Sequence, residues 1–321
     1  MSNGREIVKI GGELVRAGSE DWKGLVASFV SVQDVNDNSR ALYARTLSQY
    51  FRWLEETGRA DRLNLLTRED VLSYKDHLLA SGLSALTVSS YIVSVRKFYE
   101  WTESGKLYPN IAKGIKTPRR KQQFKKQHLT DKKSAELLDH FRSASLRDYA
   151  IVNLLLRTGL RTVEVMRANI GDIVFKGDRR VLLVWGKGHT EKDDFVVLTE
   201  KAYEPIRNYL ATRKGAKAGD PLFTSTSRQN RGERLTTRTI SGICKEGLKA
   251  IGLDGREYTA HSLRHTTAVA ILKHGGAITD VQEVLRHTSP ATSQIYTESV
   301  KEELRLQNSP ESRLDEAFLY N

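Results

Sequence analysis

The chain has 321 residues, which at roughly 150 residues per domain fits two domains, each large enough to bury a proper core. Its 51 Lys and Arg against 39 Asp and Glu leave a formal charge of +12, which points to a polyanionic partner. The single cysteine, Cys244, excludes a disulfide framework or a cysteine-based zinc site and fits a reducing cytosol. No stretch approaches the roughly 18 apolar residues of a membrane span, and the first residues lack an apolar signal, so membrane and secreted classes are set aside.

Residues 1–20 are expected to be an N-terminal tail, with two short apolar runs around Gly11-Gly12 that suit a small hairpin or a loose end. Residues 21–108 read as a helical domain. From Asn38, the positions Tyr43, Leu47, Tyr50, Phe51 and Leu54 recur at helical spacing until Thr57-Gly58. Thr67 with Asp70 opens a second helix that stops at Ser81-Gly82. After Ser84, the residues Val88, Tyr91, Ile92, Val95, Phe98 and Tyr99 follow the i, i+3, i+4, i+7 series of a third.

Residues 109–130 are expected to be a basic linker. The stretch 106–130 holds eight Lys or Arg and no acid, whereas 1–105 hold 13 basic and 14 acidic side chains and 131–321 hold 30 and 25. Eight of the twelve excess charges therefore fall in 25 residues, a composition that builds no core of its own. The plain reading is a solvated connector or a localisation signal. Between two folded domains of a basic protein it better suits tracking a phosphate backbone. Lys113, Lys116, Arg119, Arg120, Lys121, Lys125 and Lys126 are then candidate DNA contacts, with salt-dependent affinity through counterion release.

Residues 131–300 form a second domain and 301–321 a C-terminal tail. Thr130 caps a helix through Phe141, and Ile151, Val152, Leu155 and Leu156 mark another that closes at Thr158-Gly159. DIVF, RVLLVW and FVVL, separated by KGD and GKGHTEKDD, read as a three-stranded antiparallel meander. The remainder is expected to be helical. HSLRHTTAVAILKHGG ends at Gly275-Gly276, Thr279 with Gln282 forms a capping box for the next helix, and Ser289-Pro290 starts the last. No G-x-G-x-x-G or Walker sequence follows a strand, so a nucleotide-binding fold has no support.

Cationic donors concentrate in four pieces of this domain: Arg161 near Glu164, Lys187 in a strand turn, HSLRH with His261 and Arg264, and a last stretch with His287 and Tyr296. On a helix His261, Arg264 and His265 stand at i, i+3 and i+4, within one turn on one face, a set costly to bury without an anion. TGLRTVE, the strand-turn lysine, HSLRH, and L-x-H with Tyr nine residues on resemble the tyrosine recombinases of the phage-integrase family, Xer-like in size. The 23-residue step from Arg264 to His287 also matches that family.

The resemblance implies a mainly α protein: an N-terminal helical, SAM-like core-binding bundle, then a mixed but mostly α catalytic domain with a small three-stranded antiparallel sheet. It implies a site-specific recombinase that cleaves and rejoins DNA through a 3′-phosphotyrosine, without ATP, metal or other cofactor. In that scheme Tyr296 is the nucleophile and Arg161, Arg264 and His287 hold the phosphate. Lys187 protonates the leaving 5′-oxygen, His261 assists proton transfer at the tyrosine, and Glu164 orients Arg161. The partners implied are double-stranded DNA, further copies of the chain (a dimer on one site, a tetramer in synapsis) and accessory DNA-bending proteins. No membrane is involved, and the location is cytoplasmic, on the nucleoid.

The residue types make sense of that chemistry. A phenol with pKa near 10 is a poor nucleophile until it meets a proton acceptor and a polarised phosphorus. A guanidinium can bond two phosphate oxygens and keeps its charge throughout. Three features depart from the family pattern. The strand turn is about two residues longer than usual, and Asp193-Asp194 stand where a basic residue is common, so Lys192 competes with Lys187 as the acid. Arg286 replaces the glycine of L-G-H. His265 reads as a structural histidine. Two other functions stand beside the leading one: a type IB-like DNA-relaxing enzyme, and a catalytically silent DNA-binding accessory protein.

Overall fold

Side-chain caps written into the sequence set the start of most helices. The structure, a computed structural model, describes residues 7–10, 13–16, 22–60, 65–118, 127–185, 191–286, 296, 300, 301, 311 and 318. Those residues form eleven α-helices and five strands, divided between two compact units, Met1–Gln122 and Gln123–Asn321.

In the first unit β1 (Ile7–Ile10) and β2 (Glu13–Arg16) pair as an antiparallel hairpin, with Ile7 opposite Arg16. Four helices follow: α1 (Trp22–Ser31), α2 (Asp37–Glu56), α3 (Arg68–Ala80) and α4 (Ala85–Ser104). The Asn36 side chain accepts the Ser39 N–H at 3.0 Å, so α2 starts just ahead of the expected Asn38. Thr67 and Asp70 cap α3, and Ser84 caps α4. Periodicity did not announce α1. Trp22 fixes it by stacking on Phe51 at 5.2 Å and donating its indole N–H to Glu55 at 2.6 Å. Phe29, Tyr50, Tyr74, Ile92 and Val95 fill the centre with essentially no exposure. The start of the basic segment joins this core, since Ala112 and Ile115 are buried there. Gly114, at φ +69°, turns the chain between Lys113 and Lys116, both exposed. Arg119, Arg120, Lys121, Lys125 and Lys126 lie outside the described residues.

The second unit opens with α5 (Asp131–Ala144), α6 (Leu146–Thr158) and α7 (Thr162–Arg167). Residues Ala150 to Leu155 of α6 are all buried, and the one polar side chain among them, Asn153, donates to the Lys201 carbonyl at 2.9 Å. The meander follows as β3 (Ile173–Lys176), β4 (Arg179–Val184) and β5 (Asp194–Val197), antiparallel in that order, with Ile173 opposite Leu182 and Val184 opposite Asp194. Then come α8 (Glu200–Ala211), α9 (Thr237–Ala250), α10 (Ala260–Lys273) and α11 (Ile278–Leu285). Cys244 is fully buried beside Ile240 and Leu248, and burial pushes its thiol up to about 12.

Two expectations need correction here. Residues 212–236 are irregular rather than helical. Arginines bond the backbone in this region: Arg213 donates to the carbonyls of Pro221 and Leu222, and Arg234 to those of Met166 and Ala168. The cap of α11 is not Thr279 with Gln282. Asp280 accepts the Ala277 N–H at 2.7 Å, which starts the helix at Ile278 and leaves Thr279 in its exposed first turn. Ser289 and Pro290 lie outside the described residues. Among the described residues no helix is long and apolar enough to cross a membrane.

Candidate active site

Two chain reversals in the second unit assemble the site. α6 stops at Thr158 because Gly159 takes φ +62°, a left-handed turn open to glycine without steric cost. A Cβ there would lie 2.3 Å from Leu285 Cδ2, so any side chain would also displace that methyl. The reversal delivers Arg161 to the start of α7. Glu164 accepts the Arg161 backbone N–H at 2.6 Å and its guanidinium at 3.0 Å. Burial pushes the Glu164 carboxyl up, but Arg286, the Arg161 amide and the Arg161 charge together hold it below its ordinary value.

The second reversal ends α11. Arg286 sits at φ +53°, ψ +54°, the conformation a glycine would take, at a cost of about 1 kcal/mol for an L side chain. Its guanidinium donates to Glu164 at 2.8 Å and pairs with Asp194 at 3.2 Å. The replacement of glycine therefore keeps the left-handed backbone and adds a buried, doubly paired cation.

Arg264, on α10, spans both reversals. It is 2% exposed, and its guanidinium donates to the carbonyl of Gly159 and, at 2.6 Å, to that of Leu285. Burial, reinforced by the like charge of Arg161, brings it down to about 10, so it remains a cation at neutral pH. His261 lies one turn earlier and is exposed. With Arg161 and Arg264 it lines a cavity of about 780 Å³, completed by Arg238, Ser241 and Thr259 among others.

His265 parts company with its two neighbours, contrary to their expected common face. It is 1% exposed, and its ring lies 5.4 Å from His128 and 5.0 Å from Tyr296. Burial, then the neighbouring His128 and His261, push its pKa down to about 3, so it stays neutral. Tyr296 is 3% exposed in an apolar cluster with Val269, Leu272, Val281 and Leu285. Burial pushes its phenol up while Arg264 and Arg161 oppose that rise.

Lys187 and His287 lie outside the described residues. The competing Lys192 donates its ammonium to the carboxylate of Asp172, itself nearly buried just before β3. Sequence reading missed Arg238 on the cavity wall and the Arg286–Asp194 pair. The pair left two separate traces, an arginine in place of glycine and an aspartate in place of a base, 92 residues apart. Nothing local links them.

The profile of the phage integrase family matches residues 127–303, and that of the phage integrase N-terminal SAM-like domain matches 30–106. The chain belongs to the phage integrase family, as a tyrosine recombinase. This recombinase is 30% identical over 269 residues to tyrosine recombinase XerC of Neisseria meningitidis, covering 82% of this chain and 85% of that one. It is 27% identical over 288 residues to XerD of Oceanobacillus iheyensis, covering 84% and 91%. Among solved structures, a pre-cleavage complex of XerH site-specific recombinase bound to difH substrate matches with TM-score 0.71 at 20% identity, over 91% of this chain and 97% of that chain. A lambda integrase dimer bound to a COC′ core site matches at 0.66 and 16%, over 86% and 76%. The fold of the recombinase is the expected one: a SAM-like helical N-terminal domain and a mostly helical remainder with one three-stranded antiparallel sheet.

Proposed function

We propose that this tyrosine recombinase is site-specific, cleaving and rejoining double-stranded DNA with Tyr296 as nucleophile and a 3′-phosphotyrosine as intermediate. The observation that carries the reading is the convergence of Arg161, His261 and Arg264 on one cavity; the positive charges of both arginines favour ionisation of the Tyr296 phenol. The phenolic oxygen would attack phosphorus, the P–O5′ bond would break, and the phenolic proton would pass to His261 or its surroundings. Arg161, Arg264 and His287 would hold the non-bridging oxygens, countering charge that grows in the transition state. Lys187 would protonate the departing 5′-oxygen. The commitment of the Lys192 ammonium to Asp172 supports Lys187 for that role. Since the phosphotyrosine keeps the phosphoester, attack by another strand's 5′-hydroxyl reverses the step.

In this reading, residues 21–108 and 131–300 grip DNA from a helical and a catalytic domain, and the basic residues from Lys113 to Lys126 track phosphates between them. Structural relatives solved on DNA, XerH on difH substrate and a lambda integrase dimer on a COC′ core site, support a duplex partner and more than one copy of the chain; we extend this to a dimer on each site and a tetramer in synapsis. Mixed with a random pool of nicked duplexes, the wild type is expected to form a protein–DNA adduct that survives denaturation, and Tyr296→Phe none. An equal adduct from Tyr296→Phe, or none from the wild type, overturns the reading.

A further inference from the structure

The described residues place one buried cation beside the site that the family pattern does not supply. Arg286 follows the last residue of α11 and immediately precedes His287. Its side chain is only 8% exposed and makes three contacts: Glu164 Oε2 at 2.8 Å, Asp194 Oδ2 at 3.2 Å and the Val284 carbonyl at 3.2 Å. Glu164 is the carboxylate that grips Arg161 by backbone and side chain. Asp194 opens β5, at the end of the strand turn that carries Lys187. One guanidinium therefore ties together the α7 start, the β5 start and the α11 end, three stretches far apart in sequence.

We propose that Arg286 is a positioning residue of the recombination site, holding Arg161 through Glu164 and the strand turn through Asp194. The inference rests on the phosphotyrosine reading above and extends it to a residue that need not touch DNA. Charge makes two jobs of it. Glu164 is shared between two guanidiniums, so the Arg161 charge is not cancelled by a dedicated carboxylate and remains available to a phosphate. Asp194, 35% exposed, is neutralised by Arg286 and does not present a bare anion beside a site built for one. The two departures from the family pattern are thus halves of one device, an arginine where glycine is usual answering an aspartate where a base is usual.

Arg286→Gly is a clean probe, because glycine adopts φ +53° without strain and only the side chain is lost. A nicked duplex recovered by wild-type adduct formation from a random pool serves as substrate in single-turnover cleavage. Arg286→Gly is expected to slow cleavage about 10- to 100-fold, the usual range for losing an outer-shell partner. Its DNA affinity should stay near that of the wild type, and it should remain folded at the assay temperature, since Glu164 keeps Arg161 and Asp194 is partly exposed. Adding Asp194→Asn should return about threefold or more of the lost rate, because the two residues share one contact. A purely structural role would show no such rescue. Wild-type cleavage by Arg286→Gly, a loss that Asp194→Asn leaves untouched, or a loss matched by unfolding, each overturns the proposal while the phosphotyrosine reading stands. If the wild type captures no DNA at all, both fall, and the control separates the two failures.

Discussion

In the N-terminal unit the largest side chains withdrawn from water are aromatic or aliphatic, among them Phe29, Tyr50, Tyr74 and Phe98, and its other buried polar groups are neutral hydroxyls such as Thr46 and Ser94. The second unit buries Glu164, Asp172, Arg264 and His265 as well. Apolar burial stabilises without regard to direction. A buried charge is tolerable only where partners stand at defined positions, so its presence demands geometry that apolar packing does not. The first unit is a packing problem and the second a placement problem.

That contrast can be broken most sharply in the first core. Tyr74 is fully buried and its ring lies 5.2 Å from Trp53. Tyr74→Ala should cost about 3–5 kcal/mol, as aromatic truncations in cores do. Urea unfolding followed by tryptophan fluorescence reads the loss, and a cost under about 1 kcal/mol would mean the aromatic cluster is not what holds this unit. In the second unit the corresponding experiment should show itself in rate. In the proposed mechanism Arg264→Ala removes a cation that counters transition-state charge, and it also leaves the Gly159 and Leu285 carbonyls without that donor. Cleavage should fall by about 10²- to 10³-fold, or roughly 3 kcal/mol. Arg264→Lys should recover little, since one ammonium cannot reproduce a planar fork. Single-turnover cleavage by Arg264→Lys at the wild-type rate would remove the case for placement.

The smallest effect sharpens the contrast by pH. Folded His265 binds a proton far more weakly than its ordinary 6.5, with a pKa near 3, so the unfolded chain takes up that proton first as acid is added. Its contribution is whole above about 6.5 and is lost as pH falls toward 3. Hydrogen exchange, corrected for intrinsic rates, should therefore show α10 loosening between about pH 6.5 and 4.5 while α2 holds. His265→Phe should flatten that dependence. Parallel loosening of α2 and α10 would show that the two units do not differ in this respect.

Short-range chemistry was legible from the residues. Thr67 with Asp70, Ser84 and Thr130 start helices, Gly159 and Gly275 end them, and the meander lies where DIVF, RVLLVW and FVVL place it. His261 and Arg264 were likewise readable together because they stand one helical turn apart, whereas Arg161, about a hundred residues earlier, joined them only through the resemblance of its motif to a known family. Contacts made across the chain were not. Arg264 finds the Gly159 carbonyl 105 residues away, and Arg286 finds Glu164 122 residues away. α1 went unseen because a long-range stack, Trp22 on Phe51, fixes it. The irregular stretch 212–236 was mistaken for helix because long-range arginine bonds, such as Arg234 to Asn169 and Met166, hold that region.

Gly159 has no functional group, yet its lack of a side chain shapes the centre. With the Leu285 methyl pressed against it and its carbonyl bonded to Arg264, the left-handed turn at 159 lets the α6 and α11 ends pack closely around one guanidinium. A search for function restricted to reactive side chains passes over such a position. Heredity does not have that freedom: every codon change that adds a side chain at 159 strains the turn around which the reactive groups are laid out.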